Sequence, residues 1–113
     1  MTVASVVEID CDKILGWKSF HDEFARAFGF PEFYGKNMNA WIDCLTYLDD
    51  PQDTMTTVHC EPNSVVTLQL RNVGPLRERS VELYAAILEC SAFVNWRRIE
   101  SGKAPVLALS FWQ

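Results

Sequence analysis

Asp43 is a carboxylate on the outward face of an expected helix, where it is either an ordinary solvated acid or a group that can hold a cationic partner. It lies in the stretch FPEFYGKNMNAWIDCLT, residues 30–46. There Asn39, Asp43 and Tyr47 recur at every fourth position and share one helix face, while Met38, Trp41, Ile42, Leu45 and Leu48 form an apolar stripe on another. A carboxylate between an amide and a phenol accepts charge-assisted hydrogen bonds from Arg, Lys or His groups. The residues just before it read as a turn running into that helix. Gly35 permits a tight approach at positive φ, Asn37 satisfies the first helical amides as N-cap, and Ala40 keeps the surface beside the projecting groups small.

Other chemistry has thinner support. His21 with Asp43 or Cys44 would be an acid–base or Cys–His pair. Nothing in the sequence brings them together, and a packed or capping histidine is the expectation. His59 and Cys60 are adjacent but lack two further ligands, so no metal site is expected. The four cysteines, Cys11, Cys44, Cys60 and Cys90, show no CxxC spacing and read as reduced, mostly buried thiols. Trp17, Trp41, Trp96 and Trp112 read mainly as core residues, with Trp41 able to shape the edge of the binding face. No P-loop or dinucleotide-binding glycine motif occurs, and no cofactor is expected.

The elements that must position these residues follow from periodicity. Residues 3–9, 64–70 and 106–111 are short apolar runs and read as strands. Phe20, Phe24, Ala27 and Phe28 recur at helical spacing after Ser19, expected as N-cap with Asp22 in the first turn, and Gly29 marks the stop. The second helix is expected over residues 37–48. A third starts near Pro75 and continues through Leu83, Tyr84, Ile87 and Leu88. The pattern fits either one helix through Phe93, Trp96 and Ile99 or a break near Ser91. Gly102 and Pro105 lead into the last strand. Residues 49–63 show no periodicity and read as a long loop. Strands alternating with helices predict an α/β fold, a small three-stranded parallel sheet packed with helices through right-handed crossovers.

At 113 residues, 49% of them hydrophobic, the chain fits a single domain spanning residues 1–113. No apolar run approaches the roughly 20 residues that cross a bilayer, and no signal-peptide pattern opens the chain. A cytoplasmic protein, monomeric when free and without membrane contact, is expected. A net charge of −5 argues against direct nucleic-acid binding. The charge is also uneven. Glu32, Asp43, Asp49, Asp50 and Asp53 face only Lys36 across residues 32–53, whereas Arg71, Arg77, Arg79, Arg97, Arg98 and Lys103 come later. Such an excess reads as a solvated helix face followed by a polar loop, or as a field that steers a cationic partner toward this segment.

The turn and helix together resemble the barstar family of ribonuclease inhibitors. The residues that carry the likeness are Pro31, Glu32, Phe33, Tyr34, Gly35, Asn37, Ala40, Trp41, Asp43, Cys44, Leu45 and Thr46. The resemblance is strongest over residues 20–46 and weakest over 49–63 and 90–103. It implies a small three-stranded parallel sheet with helices, and an intracellular antitoxin or immunity-type inhibitor that blocks the active site of a basic extracellular-type or toxin ribonuclease. It implies a partner-binding set of Phe33, Tyr34, Gly35, Asn37, Asn39, Ala40, Ile42, Asp43, Thr46 and Tyr47, with the Asp43 carboxylate replacing a substrate phosphate. The barnase–barstar pair is itself one of the systems on which the general rules of electrostatic steering and interfacial hot spots were established, so those rules describe the family before they describe this chain.

Three positions depart from the family. Asn39 stands where a second helix Asp is usual, Phe33 where a Tyr is usual and Ile42 where a Trp is usual. They lose a charge, a hydroxyl and a stacking plane. They point away from barnase itself, toward a ribonuclease with a reshaped site or another toxin nuclease. Asp49, Asp50 and Asp53 are candidates to restore the missing charge. The alternatives are a barstar-like interaction module for a different toxin or non-nuclease partner, and a small hydrolase using His21.

Overall fold

The computed structural model describes residues 2–113. Strand β1 (Thr2–Val3) and β2 (Val6–Asp10) lead through a 3-10 turn, Cys11–Lys13, into helix α1 (Trp17–Phe28) and helix α2 (Met38–Thr46). Then come β3 (Val58–His59), β4 (Val66–Arg71), α3 (Val73–Arg79), α4 (Val81–Glu100) and β5 (Leu107–Phe111). The main sheet is three-stranded and all parallel in the order β2-β4-β5, and β1 pairs with β3 in a second parallel ladder.

Alternation along the strands decides which side of the sheet is covered. Val7 pairs with Leu68 and Leu68 with the partly buried Leu109 on one face, where Val7, Ile9, Val66, Leu68, Leu70 and Leu107 are buried. The helices pack on that apolar face. The opposite face is polar: Glu8 accepts from Arg71 at 3.0 Å, and the Arg71 guanidinium lies 5.9 Å from the Trp112 ring centroid. Beneath α1 and α2, Phe20, Phe24, Phe28 and Trp41 are fully buried, with Trp41 meeting Phe24 edge-on at 5.4 Å. Burying each such Phe is worth about 1.5–3 kcal/mol, so this aromatic block fixes how α1 and α2 pack.

Several expected boundaries move. The first strand breaks after Val3, because Thr2 and Ala4 donate to the carbonyls of Thr57 and His59 while Ser5 already accepts from Thr67 on β4. Residues 49–63 are therefore tied down and contain β3. Thr57 N also donates to Phe28 O, and Cys60 N to Leu48 O. Helix α1 starts at Trp17 with Gly16 as N-cap; Ser19 lies inside the first turn, and its hydroxyl accepts from Leu15 N and Gly16 N. The stop at Gly29 is as expected, at φ 69, where a Cβ would also collide with Thr57.

Helix α2 ends at Thr46, and Leu48 stays buried beyond it. Pro75 lies within the first turn of α3, which begins at Val73. The chain then breaks at Ser80, whose hydroxyl caps α4 by accepting from Leu83 N at 3.2 Å, and α4 runs unbroken past Ser91. Of the tryptophans only Trp41 is core; Trp17, Trp96 and Trp112 are exposed. No helix among the described residues is long and apolar enough to cross a membrane.

Candidate functional site

The turn before α2 is anchored from below by Tyr34. Its N–H donates to Pro31 O at 2.9 Å, its ring packs 4.6 Å from Phe30, and a 2.6 Å hydrogen bond joins its hydroxyl to His21 Nδ1. Burial raises the Tyr34 phenol pKa and lowers that of His21, so both are held in their neutral forms. His21 is buried among Trp17, Phe20 and Tyr34. That packing gives the hydrolase alternative no accessible imidazole.

The positive φ expected at Gly35 falls on Lys36 instead, at φ 52. Gly35 matters for closeness: a Cβ there would meet Asn37 Nδ2 at 3.2 Å and Ala40 Cβ at 3.7 Å. Lys36, so turned, reaches Asp22 at 3.5 Å. Asn37 caps α2 as expected, its Oδ1 accepting from Ala40 N at 2.8 Å and its Nδ2 donating to Gly35 O at 3.3 Å. A capping Asn of this kind is worth about 1 kcal/mol.

The outer surface so formed carries Phe33, Gly35, Asn37, Asn39 and Asp43 exposed, with Ala40 and Tyr47 half-buried. Tyr34, Ile42 and Thr46, expected on the binding face, are buried. The physical reason is packing. Ile42 belongs to the inward stripe of α2, Tyr34 is drawn down to His21, and the Thr46 hydroxyl donates back to Ile42 O at 2.6 Å. These three hold the surface from beneath.

Asp43 is exposed but not alone. Arg97 of α4 donates to its Oδ1 at 2.6 Å, with the two side chains 54% and 41% exposed. The Asp43 hydrogen bond raises the Arg97 guanidinium further above its already high range. Beside them, Lys103 Nζ stands 5.7 Å from the Tyr47 ring centroid.

The next residue, Arg98, faces inward: it is buried, 3% exposed, and forks onto both Asp49 oxygens at 3.0 and 2.7 Å while donating to Thr46 O and Ala104 O. Those bonds hold the Asp49 carboxyl below its usual range against the pull of partial burial. Asp49 is thus a structural acid and not a spare charge for a partner. Asp50 and Asp53 are occupied locally, accepting from Gln52 N and Met55 N in short side-chain turns.

Arg97 and Arg98 are the site residues that sequence reasoning missed. They contact carboxylates 54 and 49 positions away, and no local pattern marks such a pairing.

The cysteines are free; Cys11, Cys44 and Cys60 are buried and Cys90 is half-buried. Burial, reinforced by neighbouring carboxylates, pushes Cys11 up to about 12 and Cys44 up to about 11, so neither is a thiolate near neutral pH. No grouping of three or more His, Cys, Asp or Glu side chains among the described residues could hold a metal ion. His59 is buried and its Nδ1 donates to Leu48 O at 3.3 Å.

A small parallel three-stranded sheet packed with helices, with a capped turn leading into an amphipathic helix that exposes a carboxylate, defines the class of fold. Comparison with protein families matches Barstar (barnase inhibitor) over residues 4–107, and the chain belongs to the barstar family. That family is an inhibitor family, and its small α/β fold is the one found here. Comparison with curated proteins gives no match.

Proposed function

We propose that this chain is an intracellular antitoxin or immunity-type inhibitor, a single domain that acts as a monomer and covers the active site of a basic ribonuclease. The turn around Phe33 to Asn37 and the outer face of α2 form the contact, with Asp43 occupying the place of a substrate phosphate. The observation that carries this reading is the Asp43 carboxylate, half-exposed on a helix pinned by the Asn37 cap and the buried Trp41. The capped helix holds the position of this carboxylate, which favours affinity, and a cationic partner competes with Arg97 for it. Asn39 and Tyr47 flank it with neutral hydrogen-bonding groups, and Phe33 offers an apolar edge.

The test is titration into a panel of barnase-like and other basic microbial ribonucleases, following RNA cleavage and binding heat. One-to-one inhibition is expected. Asp43→Ala should weaken it about 30-fold or more, the scale of a hot spot worth about 2 kcal/mol or above. Equal binding by wild type and Asp43→Ala refutes the role of that carboxylate.

A second reading is favoured by the uncharged Asn39 and by the Asp43–Arg97 pair: the same surface on an interaction module for another toxin or a non-nuclease partner. Binding to none of the ribonucleases, with capture of a different partner sensitive to Asp43→Ala, would select it.

A further inference from the structure

Five acids against one base across residues 32–53 suggest a strongly negative surface. The folded arrangement removes much of that excess. Arg98 neutralises Asp49 from below, Arg97 lies on Asp43 at 2.6 Å, and Lys103 stands over Tyr47 at the end of the same face. The exposed group at the centre of the candidate interface is therefore an ion pair and not a lone carboxylate.

The Asp43–Arg97 pair is half-solvated on both sides, and exposed pairs of this kind contribute little to folding. A partner can therefore draw Asp43 away from Arg97 at small cost. The Arg97 side chain, 41% exposed, can then swing, but its backbone lies in the last turn of α4, so its charge stays beside the contact. A purely cationic cleft closing on Asp43 would bring its own charges against Arg97 in a shrinking layer of water, where like charges repel most strongly. A cleft that sets an acid beside its cations would satisfy both members of the pair.

We infer that Arg97 is a specificity-determining residue, and that the partner is a ribonuclease presenting a carboxylate toward Arg97 next to the cationic groups that engage Asp43. This rests on the inhibitor reading above and narrows it. Arg97 selects against ribonucleases whose clefts are cationic throughout, while Asp43 supplies the contact common to both kinds.

The experiment compares wild type, Arg97→Ala, Arg97→Glu and Asp43→Ala against two sets of ribonucleases: some with an all-cationic cleft and some with an Asp or Glu bordering it. Binding heat and inhibition are read at low and high salt. Arg97→Glu should tighten binding to the all-cationic set by about tenfold or more and weaken binding to the acid-bearing set by a similar factor, with both shifts shrinking at high salt. Arg97→Ala should move each set in the same direction by less. Unfolding midpoints of both variants should stay near wild type.

If Asp43→Ala abolishes binding while both Arg97 variants match wild type on both sets, Arg97 has no selective role and the inhibitor reading stands. Weakening of both sets by Arg97→Glu also overturns the inference, because it makes Arg97 a general support for the interface. If neither wild type nor Arg97→Glu binds any ribonuclease, the inhibitor reading fails and this inference falls with it.

Discussion

Asp49→Asn keeps the shape of a side chain that Arg98 holds by two charge-assisted hydrogen bonds, at 3.0 and 2.7 Å, and removes its charge. Severing a buried ion pair from one side costs about 3–5 kcal/mol, because the remaining charge stays buried. Three features lower that here. The Asp49 side chain is 21% exposed, the amide keeps one acceptor oxygen, and Arg98 retains the carbonyls of Thr46 and Ala104. The expected loss is about 2–3 kcal/mol. For a chain of this size that lowers Tm by roughly 8–12 °C. Urea unfolding at pH 7, followed by tryptophan fluorescence, should show a lower midpoint at unchanged slope.

The pH dependence gives an independent check. Arg98 depresses the folded-state pKa of Asp49. A depressed carboxylate contributes stability that is complete above its unfolded value, about 3.9, and is lost as pH falls through the lower folded value. The gap between wild type and Asp49→Asn should therefore be full at pH 7 and close below about pH 4. A loss under about 0.5 kcal/mol at pH 7, within the scatter of ordinary surface changes, would refute the reasoning. So would a gap that stays constant on acidification, since it could not come from the carboxylate's charge.

Two further substitutions separate what shapes the surface from what touches a partner. Asn37→Ala removes the acceptor that binds Ala40 N and should cost about 1 kcal/mol in urea unfolding, with ribonuclease binding weakened because α2 is less well fixed at the end that carries the turn. An unchanged midpoint would mean that the cap contributes nothing. Tyr34→Phe removes the buried hydroxyl bonded to His21 and should destabilise by about 1–2 kcal/mol while leaving the outer face intact. Inhibition measured well below its Tm should weaken less than about tenfold; a loss as large as that from Asp43→Ala would place the Tyr34 hydroxyl in the interface.

The parts of this molecule legible in its sequence are those with local causes. The Asn37 cap and the Gly29 stop act within a turn or two of themselves, and the Phe20–Phe24–Phe28 and Trp41–Leu45 stripes report helical period directly. The three-stranded sheet is legible in the three short apolar runs that contain β2, β4 and β5. The break between α3 and α4 falls at Ser80 and not near Ser91. Either serine could cap a helix, and only the fold selects Ser80, whose bond to Leu83 N ends one helix and starts the next. The pairing of β1 with β3 is not legible at all. Two-residue strands carry no period, and their bonds join opposite ends of the first half of the chain.

The same limit governs the site, with larger consequences. Arg97 and Arg98 are neighbours in sequence, but one step along an α-helix turns the side chain by about 100°, so the two point to different tasks. Arg98 turns inward and ties α2 and the loop after it to α4 through Thr46 and Asp49. Arg97 turns outward onto Asp43. A count of charges along α2 registers neither event, because both cations arrive from a helix far along the chain. The field that a partner meets is thus set jointly by α2, which supplies the carboxylate, and by α4, which decides how much of its charge remains free. On the proposed inhibitor reading, a substitution at Arg97 on α4 would therefore shift partner choice while the capped turn and the exposed carboxylate stay as they are.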